Sequence, residues 1–418
     1  MQGPRFILFF SVITIIIFLI DLYVIINWKK TAKLKNLSKK YWDIPLIISI
    51  VLSCLSLFNS IDRMIYHNLS IQTSNKLLII TTIWFIPKIF IFPILILKDI
   101  IKLFNIVISK VRNKKEIIPH IIDGDNLSNK GLSRREVIQN VGWSFASVPF
   151  FMVGYGTLYV NKKLNPIYIN YKLANLPGSF NNFKIIQITD LHLGSLTSES
   201  ILYDIIFAIK FHKPDLVLIT GDFVNSNPLE MTPYTHLISQ MKGKLGTLGC
   251  LGNHDHYMTD DEHFTLLNMI KESEVELLNN TNKKIYIGNE FINISGVDNW
   301  GMRQQFGDFG KVANETDFSV TSILMCHDPN NWRRFIIDKI PYDITLSGHT
   351  HGGQIGFETE RFNLMPVSLV YEFYAGAYQI GNQNLYVNRG IGTTGPPIRL
   401  GVEPEITIIS LQNDDSLT

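Results

Sequence analysis

The chain has 418 residues, a net charge of only +2 and 46% hydrophobic residues. That length admits two or three domains, and the near balance of charge, with no basic, aromatic-rich patch, argues against nucleic acid as a partner. Cys54, Cys250 and Cys326 have neither paired nor zinc-like spacing, so they read as free, buried thiols and not as a disulfide framework.

Residues 1–160 are predicted to form a membrane region. Four apolar stretches, Phe6–Asn27, Ile44–Ile61, Leu77–Leu97 and Val137–Val160, come close to or exceed the about 20 residues a helix needs to cross a bilayer. The loop after the first, "WKKTAKLKNLSKKY", carries six lysines and no acid. The second loop, Asp62 to Lys76, has only Arg63 and Lys76 as bases, and the third, Lys98 to Glu136, has nine bases against five acids. Heavy, light, heavy is the positive-inside pattern of inside, outside, inside. It predicts a multi-pass protein of the cytoplasmic membrane whose C-terminal domain lies on the outer face. Before the fourth stretch, Ser133, Arg134 and Arg135 in "LSRREVIQNVG" resemble a twin-arginine export signal, and the same two arginines also serve as plain positive-inside anchors. Asp21 and Lys88 fall inside apolar runs, where charges are costly. Lys88 follows Pro87, a place for the helix to break and for the lysine to snorkel, and both charges are expected to be structural.

Residues 161–418 read as a soluble α/β domain. "FKIIQITD" is a buried strand that ends on Asp190, and "SILYDIIFAIKFHKPD" has helical periodicity. "LVLITGD" is a strand ending on Asp222, and "GTLGCLGNHD" repeats the form. After a helical "DEHFTLLNMIKES" come three more strand regions, "KKIYIGNEFINISGVD", "VTSILMCHD" and "YDITLSGHTH". Strands alternate with helices and then dominate, which favours an α/β core with an added sheet. Ligands bind at the carboxyl ends of strands in open α/β sheets. Here those ends carry Asp190, His192, Asp222, Asn253, His254, His327, His349 and His351. Such a mixture of imidazole and oxygen donors suits Zn, Fe or Mn, and its number suits two ions that share a carboxylate. Gly194, Gly221, Gly252, Gly348 and Gly352 stand beside these residues and permit close backbone approach.

"DLH", "GD", "GNHD", the strand ending in His327 and "GHTH", in this order, resemble the calcineurin-like metallophosphoesterases. "GHTHGGQI" and the tail "NRGIGTTGPPIRLGVEPEI" are most similar to the membrane-associated bacterial branch, which includes relatives of the UDP-diacylglucosamine pyrophosphatases. The resemblance implies a four-layer α/β/β/α sandwich behind the transmembrane helices. It also implies two divalent ions: Asp190, His192 and His351 on the first, Asn253, His327 and His349 on the second, and Asp222 bridging. A hydroxide generated between the ions would attack a phosphomonoester, phosphodiester or pyrophosphate, lipid-linked substrates included, while His254 protonates the leaving group. Many members place an acid three residues after the "GD" aspartate to orient this histidine. Here the position is Asn225, and Asp255 is a substitute or a structural acid.

Arg389 and Arg399 flank "GTTGPP" and are candidate phosphate contacts, since guanidinium matches phosphate geometry; salt bridges closing the last strands are the alternative. Trp300, Met302 and Phe306 read as core packing more than as a lipid-facing lip. The rival to a membrane-anchored phosphoesterase is a non-catalytic membrane sensor or scaffold that keeps the metal-binding domain.

Overall fold

The computed structural model describes residues 3–63, 68–112, 134–196, 198–301, 304–359 and 362–414. It divides into two compact units, Met1–Tyr155 and Gly156–Thr418. The first unit contains α1 (Gly3–Leu34), α2 (Lys40–Ile61), α3 (Ile71–Arg112) and most of α4 (Arg134–Leu158). Among the described residues, three stretches are helical, long and apolar enough to cross a membrane: Ser11–Leu34, Lys40–Ile61 and Ile71–Ser109. The expected fourth span coincides with α4, which is helical but is not one of those three. Ser133 lies outside the described residues, so the twin-arginine reading has no structural counterpart.

The helix does not break at Pro87: α3 runs on through Pro87 and Pro93. Nor does Lys88 snorkel. Its Nζ sits 2.5 Å from Asp21 Oδ1, with both residues buried. Trp84 Nε1 donates to Asp21 Oδ2 at 3.2 Å, the Ser49 hydroxyl donates to the same oxygen, and the Lys88 ammonium lies 3.6 Å from the Trp84 ring centroid. The pair therefore ties α1, α2 and α3 together. Removing one partner of a buried pair strands the other charge, at a cost of about 3–5 kcal/mol. Asp21→Ala should accordingly lower the Tm of the detergent-solubilised chain, and adding Lys88→Met should recover most of the loss. An unchanged Tm in the single variant would refute this role.

The second unit follows in chain order as β1 (Asn165–Leu173), β2 (Lys184–Ile188), α5 (Ser200–His212), β3 (Leu216–Thr220), α6 (Thr235–Ile238), β4 (Thr247–Cys250), α7 (Asp260–Glu272), β5 (Val275–Leu277), β6 (Thr281–Ile287) and β7 (Glu290–Gly296). Then come α8 (Phe309–Glu315), β8 (Ser322–Met325), β9 (Ile344–Ser347), β10 (Phe357–Thr359), β11 (Phe362–Leu364), β12 (Gly376–Ile380), β13 (Gln383–Val387) and β14 (Glu405–Asn413). Two six-stranded mixed sheets form, in the orders β1-β14-β2-β3-β4-β5 and β12-β13-β9-β8-β7-β6, and β10 and β11 make a separate hairpin.

The strands read as near-continuous apolar runs because both of their faces are buried. Along β3, Leu216 and Leu218 face the other sheet, joining Ile294, Ile323 and Leu346, while Val217 and Ile219 face α5 and α7, joining Ile205 and Leu266. The outer face of the second sheet is covered by Phe309 and Val312 of α8 with Trp332 and Ile336. This is the four-layer α/β/β/α sandwich. A capping box, Thr259 with Glu262, starts α7 just after the "GNHD" turn. The parallel strands β2, β3 and β4 in one sheet and β8 and β9 in the other end where the polar motifs begin. Cys250 and Cys326 are buried as expected, but Cys54 on α2 is exposed.

Candidate metal centre

Three of the five motifs, "DLH", "GD" and "GHTH", leave their strands through left-handed turns. Asp190, His192, Asp222, His349 and His351 all have left-handed backbone, with φ of 52°, 43°, 56°, 71° and 51°. For a residue with a Cβ that conformation costs about 1–2 kcal/mol, and such strain collects at functional sites. Glycine is required between them: a Cβ on Gly348 would strike the Asp190 carboxylate, and one on Gly252 would strike that of Asp222.

The turns bring the polar side chains together in three overlapping groups, Asp190–His192–His351, His192–Asp222–His254 and Asp222–His327–His349. Within each group the ligand atoms lie within 4.8 Å of one another. Asp222 Oδ2 is 3.4 Å from His192 Nε2 and 3.1 Å from His327 Nε2, so one carboxylate serves two groups. His351 Nε2 stands 3.1 Å from His192 Nε2 and 3.3 Å from Asp190 Oδ1.

The donor atoms are prepared for cations. His327 Nδ1 donates to the Thr220 carbonyl at 2.7 Å, which leaves its Nε2 buried without a hydrogen-bond partner among the described residues. Asn253 Nδ2 donates to the Tyr257 hydroxyl at 3.0 Å, and its Oδ1 is likewise buried and unpaired. His349 Nε2 meets the Tyr371 hydroxyl at 3.0 Å, so Nδ1 is its free nitrogen. His192 Nδ1 is held by Asn225 Oδ1 at 2.9 Å. Orienting a ligand imidazole through its other nitrogen is how proteins fix metal sites. Buried polar atoms are otherwise rarely left unpaired, so these residues fit bound metal.

Electrostatics agree. Burial alone would strip the proton from His327, but the Asp222 and Asp190 carboxylates outweigh it and raise its pKa to about 10. His192 is raised against burial by the same two carboxylates. Burial would raise the Asp222 carboxyl, yet the charge of the nearby His327 and His254 imidazoles holds it well below its ordinary value. Buried anions here draw positive charge to their centre, and metal binding would release the protons that stand in for it.

His254 is built differently. Its backbone N–H donates to Asp222 Oδ1 at 2.8 Å, and its Nδ1 lies 2.7 Å from the backbone carbonyl of Asn225. Burial lowers its pKa to about 4. The Asn225 side chain, expected on this histidine, holds His192 instead, and a main-chain carbonyl takes the orienting role. Asp255 does not substitute for the missing acid. Its two oxygens accept the backbone N–H groups of Asp222, Phe223, Val224 and Gly252, which staples the "GD" and "GN" turns together.

The two arginines are engaged by the protein itself. Arg389 Nη1 pairs with Glu405 at 2.7 Å. Arg399 is 0% exposed, and its Nη2 donates to the carbonyls of Arg389, Gly390 and Gly392. Arg389 thus closes the last strands, while Nε and Nη1 of Arg399 are buried with no hydrogen-bond partner among the described residues. Trp300 packs on Phe309 and Phe335, Phe306 stacks on His256 but is 50% exposed and so is not core, and Met302 lies outside the described residues. Sequence reasoning missed Tyr371 and Thr394. The Thr394 hydroxyl lies 2.9 Å from His351 Nε2, and the signal that could have found it is its place in "GTTGPP".

Residues 4–160 match the transmembrane domain described for calcineurin-like phosphoesterases, and residues 183–353 match the calcineurin-like phosphoesterase domain. An uncharacterized metallophosphoesterase of Campylobacter jejuni is 32% identical over 244 residues, 57% of this chain and 62% of that protein. A Danio rerio transmembrane protein with metallophosphoesterase domain is 27% identical, over 62% of this chain and 60% of its own. The chain thus spans about three fifths of the length of these two relatives. An uncharacterized metallophosphoesterase of Bacillus subtilis, YkuE, is 30% identical over 58% of this chain and 83% of its own length. With these matches and the motif geometry together, the chain belongs to the calcineurin-like metallophosphoesterases and carries their domain behind an N-terminal transmembrane region.

Proposed function

We propose that the chain is a membrane-anchored phosphoesterase that hydrolyses a phosphomonoester, phosphodiester or pyrophosphate bond at two divalent ions, Mn, Zn or Fe. The observation that carries this reading is the Asp222 carboxylate shared between two groups of donors. Asp190, His192 and His351 would hold one ion, and Asn253, His327 and His349 the other. Such a pair polarises phosphoryl oxygens and lowers the pKa of water. The rest falls to the chain. Asn225, Thr220 and Tyr371 orient imidazoles through their outer nitrogens. The Asn225 carbonyl holds His254 Nδ1–H, so Nε2 is the atom that exchanges a proton with the departing oxygen. A screen of detergent-purified chain against phosphomonoesters, phosphodiesters and nucleotide-lipids with Mn, Zn, Fe, Ni and Mg tests it. Turnover with at least one metal is expected, and none with any would leave the non-catalytic sensor as the better reading.

The alternation of basic loops supports an active site on the outer face of the cytoplasmic membrane. In a Cys54→Ser background, Asn413→Cys should react with an impermeant thiol reagent in intact spheroplasts, and Ser38→Cys only after lysis. The reverse pattern would refute this orientation. If Arg134→Lys with Arg135→Lys leaves Asn413→Cys accessible, the arginines act only as anchors.

A further inference from the structure

The β10–β11 hairpin is turned inside out. Its register pairs Phe357 with Leu364, Glu358 with Asn363 and Thr359 with Phe362. Side chains alternate along a strand and directly opposed residues share a face, so Phe357, Phe362 and Leu364 lie on one face and Glu358 and Asn363 on the other. A one-sided hairpin normally packs its apolar face on the core. Here all the described hairpin residues are exposed, but it is the polar face that reaches the body: Glu358 faces Arg389 at 3.9 Å, and Asn363 Nδ2 reaches the Tyr374 hydroxyl at 3.4 Å. The apolar face is left open, with Phe357 39%, Phe362 56% and Leu364 53% exposed. The turn that follows adds Leu369 at 89% and Val370 at 75% exposure.

This protrusion grows from the metal-binding turn. A Cβ on Gly353, in "GHTHGGQI", would press on Val367, and one on Gly356 would meet Met365. Next to Val370 stands Tyr371, whose hydroxyl meets His349 Nε2. Large apolar side chains gathered beside a functional site mark a contact surface. The chain supplies the partner, because the same polypeptide carries three helices fit to cross a membrane.

We propose that the hairpin and the 366–370 turn dip into the bilayer beside the metal centre, and that the centre therefore acts on phosphoesters of membrane-embedded lipids. The substrate half of this rests on the phosphoesterase reading; the insertion half does not. The whole chain, in a Cys54→Ser background, is reconstituted into phosphatidylethanolamine/phosphatidylglycerol vesicles with an environment-sensitive fluorophore on Leu369→Cys or on Lys271→Cys, an exposed α7 position. Doxyl-labelled lipids should quench the label at 369 and spare the one at 271. Equal quenching at both positions, or a blue shift at 369 that follows protein concentration and ignores the quencher, would overturn insertion and point to a second copy.

For the substrate half, Phe362→Ser with Leu369→Ser should keep turnover of soluble aryl phosphoesters and lose about tenfold or more on phosphatidic acid or phosphatidylglycerol in vesicles, from the apolar contact removed. Equal loss on both substrate types, or a wild type active only on soluble esters, would overturn it. A wild type inactive on every phosphoester, with quenching at 369 intact, would sink the phosphoesterase reading and leave insertion standing.

Discussion

Asp222→Ala is expected to abolish turnover and to empty both ion positions together. Its Oδ2 stands between His192 and His327, and its Oδ1 also holds the His254 backbone N–H. Among the described residues, Asp222 is the carboxylate that belongs to two of the donor groups. Loss of several kcal/mol of charge stabilisation corresponds to about a thousandfold or more in rate. Elemental analysis of the folded variant should find neither ion. Asn253→Ala is the contrast, because its unpaired Oδ1 belongs to one position only, so it should weaken one ion and spare the other. An Asp222→Ala protein that keeps both ions would contradict the shared-carboxylate geometry.

His254→Ala should leave the ions in place and slow the chemical step by about 10²–10⁴-fold, the usual contribution of a general acid or base. The loss should be largest for poor leaving groups, because activated aryl esters need little protonation. Since burial lowers the His254 pKa to about 4 and a carbonyl holds its Nδ1–H, the ring rests neutral near pH 7. It must therefore take up a proton from solvent at Nε2 before it can give one to the departing oxygen. Asn225 acts elsewhere: its side chain fixes His192, so Asn225→Ala should lower metal affinity by about 10–100-fold, the cost of losing an orienting partner. A His254→Ala enzyme as fast as wild type on both ester classes would remove it from the mechanism.

Much of this architecture was legible because strand ends are written in the chain. "FKIIQITD", "LVLITGD" and "GTLGCLGNHD" each give an apolar run ended by a ligand type, and β2, β3 and β4 fall on them. All seven expected ligands and His254 meet at neighbouring turns or are neighbours in sequence of residues that do. What could not be read depends on distant pairing. β14 inserts between β1 and β2, parallel to one and antiparallel to the other, and no local periodicity encodes a partner more than two hundred residues away. The swap at Asn225 was hidden for a similar reason, because sequence position does not say whether a side chain or its own carbonyl faces His254. Arg399 reads equally as a phosphate contact or as a residue closing the last strands, because guanidinium chemistry is visible in sequence whereas the three carbonyls its Nη2 meets are not. The inverted hairpin is the clearest case. "FETERFNL" carries its apolar residues in plain view, but only the β10–β11 register shows which face they share.

We propose a phosphoesterase that needs two ions per chain. Its most direct test is turnover of a phosphoester by the metal-free chain as Mn is titrated in at a protein concentration well above the dissociation constant. Activity should rise and saturate at two equivalents per chain. Saturation at one equivalent, or no turnover at any, would contradict it.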